Sequence, residues 1–453
     1  MADPSILASA IRKARWRLMP LILVMYLVAM LDRTNIGFAR QALHSREAVS
    51  DAAFALGAGA FFITYAIFEL PSNLILHKVG ARIWMCRIMV SWGLVASAMV
   101  FIRGDAWFVG LRLLLGAAEA GFFPGAILYI TYWFPASERG RALGLLYFGF
   151  PIALTVGSPL SGGLLALDGR LGLAGWQWMF LIEGLLACGV GIYALFGLTD
   201  HPKDASWLTP AERTTLAEAI ADETKTKSSR GGIHLGQALR DPRLWHLLGV
   251  YFFLQISVYG VTFYLPSQVS ALLGVKIGPL VGLVVGIPWL VAALMAAYWP
   301  ARAVRTGQPR AYALGFFGFI ALGLVVSANV PPLPAIIALC FVTTGAICVQ
   351  PIFRTFPTGY LGGVAAAGGI AAINSLGNLG GFVAPNVRNW ADQQFGGTAA
   401  GLYVLAAAAL VAAALVVILP SRIVAVPGSV DEAEPQPRGA SRMQSSLSHG
   451  PPR

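Results

Sequence analysis

Residues 26–39 read YLVAMLDRTNIGFA. The stretch lies inside the first long apolar run of the chain, yet Asp32 and Arg33 stand side by side in it. A charged side chain at mid-membrane costs about 2.5–3.5 kcal/mol on insertion scales. The reading of this stretch therefore decides two things: whether the run crosses a bilayer, and what such a crossing is for.

Working outward, the composition answers the first question. Of 453 residues, 57% are hydrophobic and only 12% are charged. A soluble chain carries about 25% charged residues. Mean hydropathy is +0.69. Fifty-one glycines and twelve tryptophans suit close helix packing and anchoring at membrane interfaces. The apolar runs are about 20 residues long, which is the length of a helical span and not of an alternating barrel strand.

Counting such runs predicts about twelve spans. They fall near 17–38, 52–76, 84–103, 106–133, 142–167, 176–199, 244–269, 276–300, 310–329, 333–357, 364–387 and 398–420. The widest polar gap, 200–243, divides them into two sets of six. The expected fold class is an all-α membrane protein. Its expected parts are an N-terminal tail (1–16), a first bundle (17–199), a linker (200–243), a second bundle (244–420) and a disordered C-terminal tail (421–453). In the linker, Thr209-Pro210-Ala211-Glu212 reads as a capped helix start, with a short surface helix to about Asp222. The following KTKSSRGG reads as flexible.

The net charge of +11 is not a nucleic-acid signature, because most basic residues sit in short loops and tails. Arg12, Lys13, Arg15, Arg17, Lys78, Arg82, Arg139, Arg141, Arg302, Arg305, Arg310 and Arg422 collect on one side. By the positive-inside rule that side is cytoplasmic, and so are both termini and the linker. The basic surface also suits anionic lipid. No cleavable signal is expected in the opening MADPSILASAIRKARWRL. Four cysteines (Cys86, Cys188, Cys340, Cys348) show no CxxC pair and read as packing residues. Six histidines lie in loops, tails or span ends, so neither a metal site nor a cofactor is expected. No GxxxxGK[ST] segment is present, which argues against ATP-driven transport, and no Ser-His-Asp set supports an enzyme.

Four charges then stand out. Arg33 is about 24 Å along the first span from residue 17 at 1.5 Å per residue. Asp32 points about 100° away from it, so the two neighbours serve different directions. Arg112 and Glu119 share a face of the fourth span, about 10 Å apart. Tyr26 and Arg33 have the same spacing. The plain reading is salt bridges that tie helices together. The functional reading is a polar cavity with a proton site and an anion site, which is what intramembrane ionisable residues commonly mark.

Several blocks also resemble a known group: YLVAMLDRTNIGFARQAL, ELPSNLILHKVGARIWMCRIMVSWGL, GAAEAGFFPGAILYITYWFPASERGRA, WQWMFLIEG and AAAGGIAAINSLGNLGGFVAP. Together they are similar to the anion:cation symporter family of the major facilitator superfamily, over about residues 12–420. The resemblance implies two six-helix bundles about a pseudo-two-fold axis, with a site between them. It implies proton coupling at Asp32 and Glu119, carboxylate binding by Arg33, pairing of Arg112 with the acids, and substrate hydrogen bonds from Asn374; Arg112 is also counted among the substrate-binding candidates. It implies proton-coupled uptake of a small organic carboxylate such as a sugar acid, dicarboxylate or aromatic acid. The expected setting is a bacterial inner membrane, and the expected working unit a monomer.

Two loops depart from the family pattern. His77-Lys78 stands where an acid usually precedes the basic residue, and Val304-Arg305-Thr306-Gly307-Gln308-Pro309 lacks the acids usual in its loop. Arg354 occupies a position where an aromatic residue is common. It is either a second anion contact or a side chain snorkelling to the interface.

The charges themselves suggest coupling. With both acids ionised, Asp32 and Glu119 contribute −2 and Arg33 and Arg112 contribute +2. An entering carboxylate leaves a surplus negative charge in a poorly solvated site, and a proton cancels it. Linkage makes the effect reciprocal. Asn374 and Asn378 share a helical face, and Tyr26, Tyr65, Gln255, Tyr259 and Tyr264 are further candidates for the cavity wall. Glu69 and Glu183 read as structural. The competing functions are an antiporter or exporter of the same fold and, from another class, a membrane sensor that binds without transporting.

Overall fold

Inside a bilayer a backbone must satisfy its own hydrogen bonds, so long apolar runs become helices. The computed structural model describes residues 4–228, 240–360 and 364–419, and no strand occurs among them. The first half holds α1 (Pro4–Thr34), α2 (Ile36–Glu47), α3 (Asp51–Val79), α4 (Ala81–Ala98), α5 (Gly104–Glu119), α6 (Phe122–Trp133), α7 (Ala136–Leu164) and α8 (Gly175–Gly197). The linker contributes α9 (Pro210–Ser228). The second half holds α10 (Pro242–Leu273), α11 (Pro279–Ala296), α12 (Trp299–Arg305), α13 (Pro309–Asn329) and α14 (Pro332–Phe353). It ends with α15 (Thr355–Tyr360), α16 (Val364–Gly377), α17 (Gly380–Gln394) and α18 (Thr398–Ile418).

Eleven segments of the described chain are long and apolar enough to cross a membrane. The sequence predicts a twelfth at 364–387, and the structure differs there. That crossing is divided between α16 and α17 at a tightened turn, where Leu379 N–H bonds to Leu376 O (3.2 Å) and Gly381 N–H to Asn378 O (2.8 Å). Gly377, Gly380 and Gly381 make the break inexpensive, since glycine favours a helix interior least after proline. Other crossings are broken too. The first breaks at Asn35 between α1 and α2, and the fourth at Ala120–Gly121 between α5 and α6. Gly121 has φ +87°, and a Cβ there would lie 2.3 Å from Ser72 Oγ.

The two halves repeat one pattern of neighbours. In the first, α4 packs on α8, α3 on α5, and α1 on both α7 and α8. In the second, α13 packs on α18, α11 on α14, and α10 on both α17 and α18. This is the two-bundle, pseudo-symmetric architecture expected from the sequence. The halves meet where α7 packs on α11, α3 on α17 and α2 on α10. At the first of these seams Gly162 and Gly282 touch backbone to backbone, and a Cβ on Gly162 would come 2.8 Å from the Cα of Gly282. Large apolar side chains such as Leu70, Phe101, Phe196 and Leu322 remain exposed around the outside, where lipid would cover them.

The face that carries α9 is called the linker face below, and its opposite the far face. Two local expectations change here. The chain is already helical from Pro4, well before residue 17, and α9 runs through Ser228 instead of ending near Asp222. Residues 229–239 and the tail beyond 419 lie outside the described residues. The early start of α1 is explained by Glu212. Its carboxylate accepts from Lys13 Nζ and Ser9 Oγ, both at 2.8 Å, and from the N–H of Thr209 at 2.9 Å. Thr209 Oγ1 accepts in return from the N–H of Glu212, completing the capping box.

Burial pushes the Glu212 carboxyl up, but its bonds from Lys13, Thr209 and Ser9 prevail and hold it down at about 2, below the ordinary 4.5. The docked α9 is therefore favoured fully above pH 4.5, and that contribution is lost as pH falls toward 2. Hydrogen-exchange protection of α9, corrected for intrinsic rates, should decline over this window. Glu212→Gln should lower protection at neutral pH and flatten the pH dependence.

Candidate functional site between the two halves

The first span carries the site because a helix points adjacent residues in different directions. Arg33 reaches the seam between the halves. Asp32 turns back into the first half, where its Oδ2 accepts from Trp92 Nε1 at 2.8 Å. Asp32 Oδ1 has no hydrogen-bond partner among the described residues. Arg33 Nη2 forms an ion pair with Glu119 Oε1, and its Nη1 lies 3.5 Å from the hydroxyl of Tyr259 in the second half. Its guanidinium also covers the rings of Phe61 and Tyr65, 4.9 and 5.1 Å from their centroids.

Glu119 is the last residue of α5, and the Ala120–Gly121 break leaves it at the end of a helix in the middle of a crossing. Arg112 lies nearly two turns earlier on the same helix face. Its Nε donates to Gly57 O at 3.3 Å, while Nη1 and Nη2 have no hydrogen-bond partner among the described residues. The Phe61 ring also carries the Arg112 guanidinium, 5.0 Å from its centroid. The expected pairing of Arg112 with the acids is not what forms: Arg33 takes Glu119, and Arg112 makes no ion pair among the described residues.

A cavity of about 340 Å³ opens between the halves. Of the residues singled out in the sequence, Tyr26, Arg33, Tyr65, Gln255, Tyr259, Asn374 and Asn378 line it. Gln255 Nε2 donates to Asn378 Oδ1 at 2.9 Å, which fixes both amides on the wall. Asp32, Glu119 and Arg112 are buried behind the lining. Direct contact between Arg112 and a solute, as the sequence reading had it, is therefore not what this geometry provides. The first two can act on the cavity only through Arg33 and its surroundings. Tyr264 also lies elsewhere, packed beneath Arg388 and Arg40 at 4.3 and 4.7 Å.

Two residues read otherwise in the sequence belong to the wall. Glu69 lines the cavity, and its Oε2 accepts from Ser375 Oγ across the seam at 3.0 Å. Arg354 lines it too and does not snorkel outward. Its Nη1 donates to the hydroxyl of Tyr147 in the first half at 2.7 Å. Nothing in the sequence distinguishes a wall residue from an interfacial one so near a span end. Arg388 is a further buried charge, outside the candidates named from the sequence. It is buried, donates to Gly260 O at 3.0 Å and lies 3.8 Å from Asp392. Its i, i+4 spacing from Asp392 was the available signal.

These contacts give the cavity a direction. Toward the far face the halves close tightly: a Cβ on Gly37 would come 2.5 Å from Phe263 O, and the N–H of Ile277 bonds to Gln41 Oε1 at 3.3 Å. Toward the linker face the lining continues to Pro300, Ala301 and Arg354. The side-chain contacts Glu69–Ser375 and Tyr147–Arg354 cross the seam there. His77, in the loop that lacks its acid, bonds instead to the Tyr132 hydroxyl within the first half at 2.8 Å.

The profile of the Major Facilitator Superfamily matches residues 22–385. The chain is also 43% identical over 412 residues to the inner membrane transport protein RhmT of Escherichia coli strain K12, covering 91% of this chain and 95% of that one. The chain belongs to the major facilitator superfamily. A putative tartrate transporter of Agrobacterium vitis is 41% identical over 414 residues, 91% of each chain. Among solved structures, a bacterial homologue of the human lysosomal transporter Spinster, inward-facing and occupied, superimposes with a TM-score of 0.71. That match covers 89% of this chain and 96% of the other at 14% identity, and so speaks for the fold alone. The facilitator assignment makes the chain a multi-pass membrane transporter for a small molecule and not an enzyme.

One buried acid outside the cavity wall is held by packing partners of its own. Glu183 is fully buried and accepts from Asn35 Nδ2 at 2.7 Å and Ser161 Oγ at 2.8 Å. Removing a donor from a buried acceptor costs about 1–3 kcal/mol. Asn35→Leu should therefore lower the apparent melting temperature of the purified protein. Adding Glu183→Leu should restore part of the loss, since the stranded acceptor is then gone.

Proposed function

We propose that the protein is a proton-coupled symporter that takes small organic carboxylate anions into the cell by alternating access. The observation that carries this reading is the Arg33–Glu119 ion pair at the cavity wall, with Arg33 also reaching Tyr259 of the opposite half. Arg33 is a cavity cation whose counter-ion sits just behind the lining. An entering carboxylate competes with Glu119 for the guanidinium fork, which matches such groups in shape and charge. Glu119 released in a buried site carries an uncompensated charge, and that is strongly unfavourable. A proton on Glu119 removes the conflict. Anion and proton thus bind together, and by linkage each favours the other. Asp32 acts at one remove: it places a second carboxyl in the same buried cluster and adjusts how much negative charge the cluster tolerates.

The named tartrate transporter among the relatives supports a carboxylate substrate. The basic residues of the linker face support a cytoplasmic location for the N-terminus and linker in a bacterial inner membrane. On that orientation the cavity leans toward the cytoplasm. The proton is the coupling ion, no cofactor takes part, and a single chain contains a whole site.

The test is uptake into proteoliposomes under an imposed pH gradient, with the acid chosen from a thermal-shift panel. Wild type should accumulate the acid, and Arg33→Ala should lose binding. Asp32→Asn or Glu119→Gln should lower gradient-driven accumulation at least about tenfold while exchange across the membrane persists. Undiminished accumulation by both acid variants defeats the coupling scheme. Accumulation only when the gradient is reversed reassigns the protein as an exporter.

A further inference from the structure

On the linker face the two halves differ in how their basic residues are balanced. The first half and the linker helix supply carboxylates: Lys13 pairs with Glu212, Arg15 with Glu138 and Arg139 with Glu223. The second half has none to supply there, because no Asp or Glu occurs between Asp241 and Asp392. Asp241 caps the start of α10, and Asp392 lies near the end of α17 on the far face. Arg302 and Arg305 stand three residues apart on α12, both exposed, and neither has an ion pair among the described residues.

A groove of about 300 Å³ opens on α12 and α13, apart from the solute cavity. Its wall is a run of aromatic rings. Trp299 lies 5.9 Å from Tyr312 and 6.4 Å from Phe316, and Phe316 lies 5.8 Å from Phe319, centroid to centroid. Its floor is Ala311 and Gly315, and a Cβ on Gly315 would meet nothing within 4 Å. Tyr298, 5.3 Å from Trp299, ties Arg302 to the mouth of the groove: its hydroxyl accepts from Arg302 Nη1 at 2.9 Å. From Tyr312 to Phe319 the groove follows α13 for about 10 Å toward the membrane interior.

Both walls belong to segments long and apolar enough to cross the membrane, Pro279–Arg305 and Pro309–Asn329, so the solvent of this groove is lipid. Along it the order is cation, then Trp and Tyr, then Phe. Tryptophan and tyrosine sit at headgroup level in a bilayer, and basic side chains beside them meet lipid phosphate. A phospholipid presents the matching order of phosphate, interface and chain.

We propose that this groove is a binding site for an anionic phospholipid, with its phosphate on Arg302 and Arg305 and one acyl chain along Trp299, Phe316 and Phe319. The lipid provides the counter-ion that the second half lacks. A zwitterionic lipid brings the same chain but carries its own cation, so charge complementarity selects the anionic class. Pro300 and Ala301 of the same short helix line the solute cavity, so α12 stands between lipid on one side and solute on the other.

The test is native mass spectrometry of the delipidated full-length protein, titrated with dioleoylphosphatidylglycerol or dioleoylphosphatidylcholine, which share their chains. Wild type should bind its first phosphatidylglycerol at least about fivefold tighter than phosphatidylcholine. Arg302→Gln combined with Arg305→Gln should bring the two within about twofold. Gly315→Leu fills the groove and leaves both arginines, and should weaken phosphatidylglycerol binding at least about fivefold. Ala311→Leu serves the same purpose should Gly315→Leu not fold. Arg82→Gln, a basic position of the first half on the same face, should change neither affinity. Unliganded elution and melting profiles establish that each variant is folded. Equal affinity for the two lipids in wild type overturns the inference, as does a preference that survives in the double arginine variant. A preference lost equally in Arg82→Gln also overturns it and leaves only diffuse surface charge. Full affinity in the groove-filling variants, or competition by chain-free glycerophosphoglycerol at the same concentration as the lipid, overturns it in favour of a phosphate contact without a chain site.

Discussion

A charge removed from water is costly unless it is paired, and the pairing of Arg33 with Glu119 is the constraint around which the site is arranged. Each partner comes from a different span, with Arg33 on the wall of the cavity between the halves and Glu119 buried behind it. The neighbours divide the remaining load. The Phe61 ring carries the guanidiniums of both Arg33 and Arg112, and Trp92 holds one oxygen of Asp32. What stays incomplete is informative. Asp32 Oδ1, Glu119 Oε2 and both terminal nitrogens of Arg112 lack a hydrogen-bond partner among the described residues. In the proposed coupling scheme these unfilled donors and acceptors are the groups whose protons and contacts change.

The broken helices serve the same cluster. Asn35 interrupts the first crossing two residues after Arg33, and Gly121 interrupts the fourth two residues after Glu119. The eleventh crossing is interrupted at Asn378, whose amide accepts from Gln255 on the cavity wall. Irregular backbone at membrane depth is tolerated where it is buried in protein or lines a polar cavity. Each interruption here adjoins a residue of the site. Local helix propensity is given up where side chains must be aimed.

The seam is unequal at its two ends. On the far side, glycines let backbones touch, as at Gly37 against Phe263 and Gly162 against Gly282. On the linker side, closure depends on long side chains, Glu69 to Ser375 and Arg354 to Tyr147. Backbone contact through glycine is dense, whereas side-chain contacts of this kind can part without moving the backbone. The linker helix α9 docks on the first half through Glu212.

Much of this was legible in the sequence, because the strongest effects in a membrane chain are local. Runs of apolar residues determine helical crossings, the polar gap at 200–243 determines the division into halves, and the cost of charge in lipid singles out Asp32, Arg33, Arg112 and Glu119. Helical spacing even separated the direction of Asp32 from that of Arg33. Tertiary structure alone decided who pairs with whom. Arg33, not Arg112, took Glu119, and Glu69 and Arg354 proved to be wall residues while Arg112 did not. The physical reason is that burial is encoded along the chain by hydropathy, whereas the face a polar residue presents depends on how each helix is rotated against its neighbours. That rotation is set by packing contacts hundreds of residues apart, and no single helix carries a record of it.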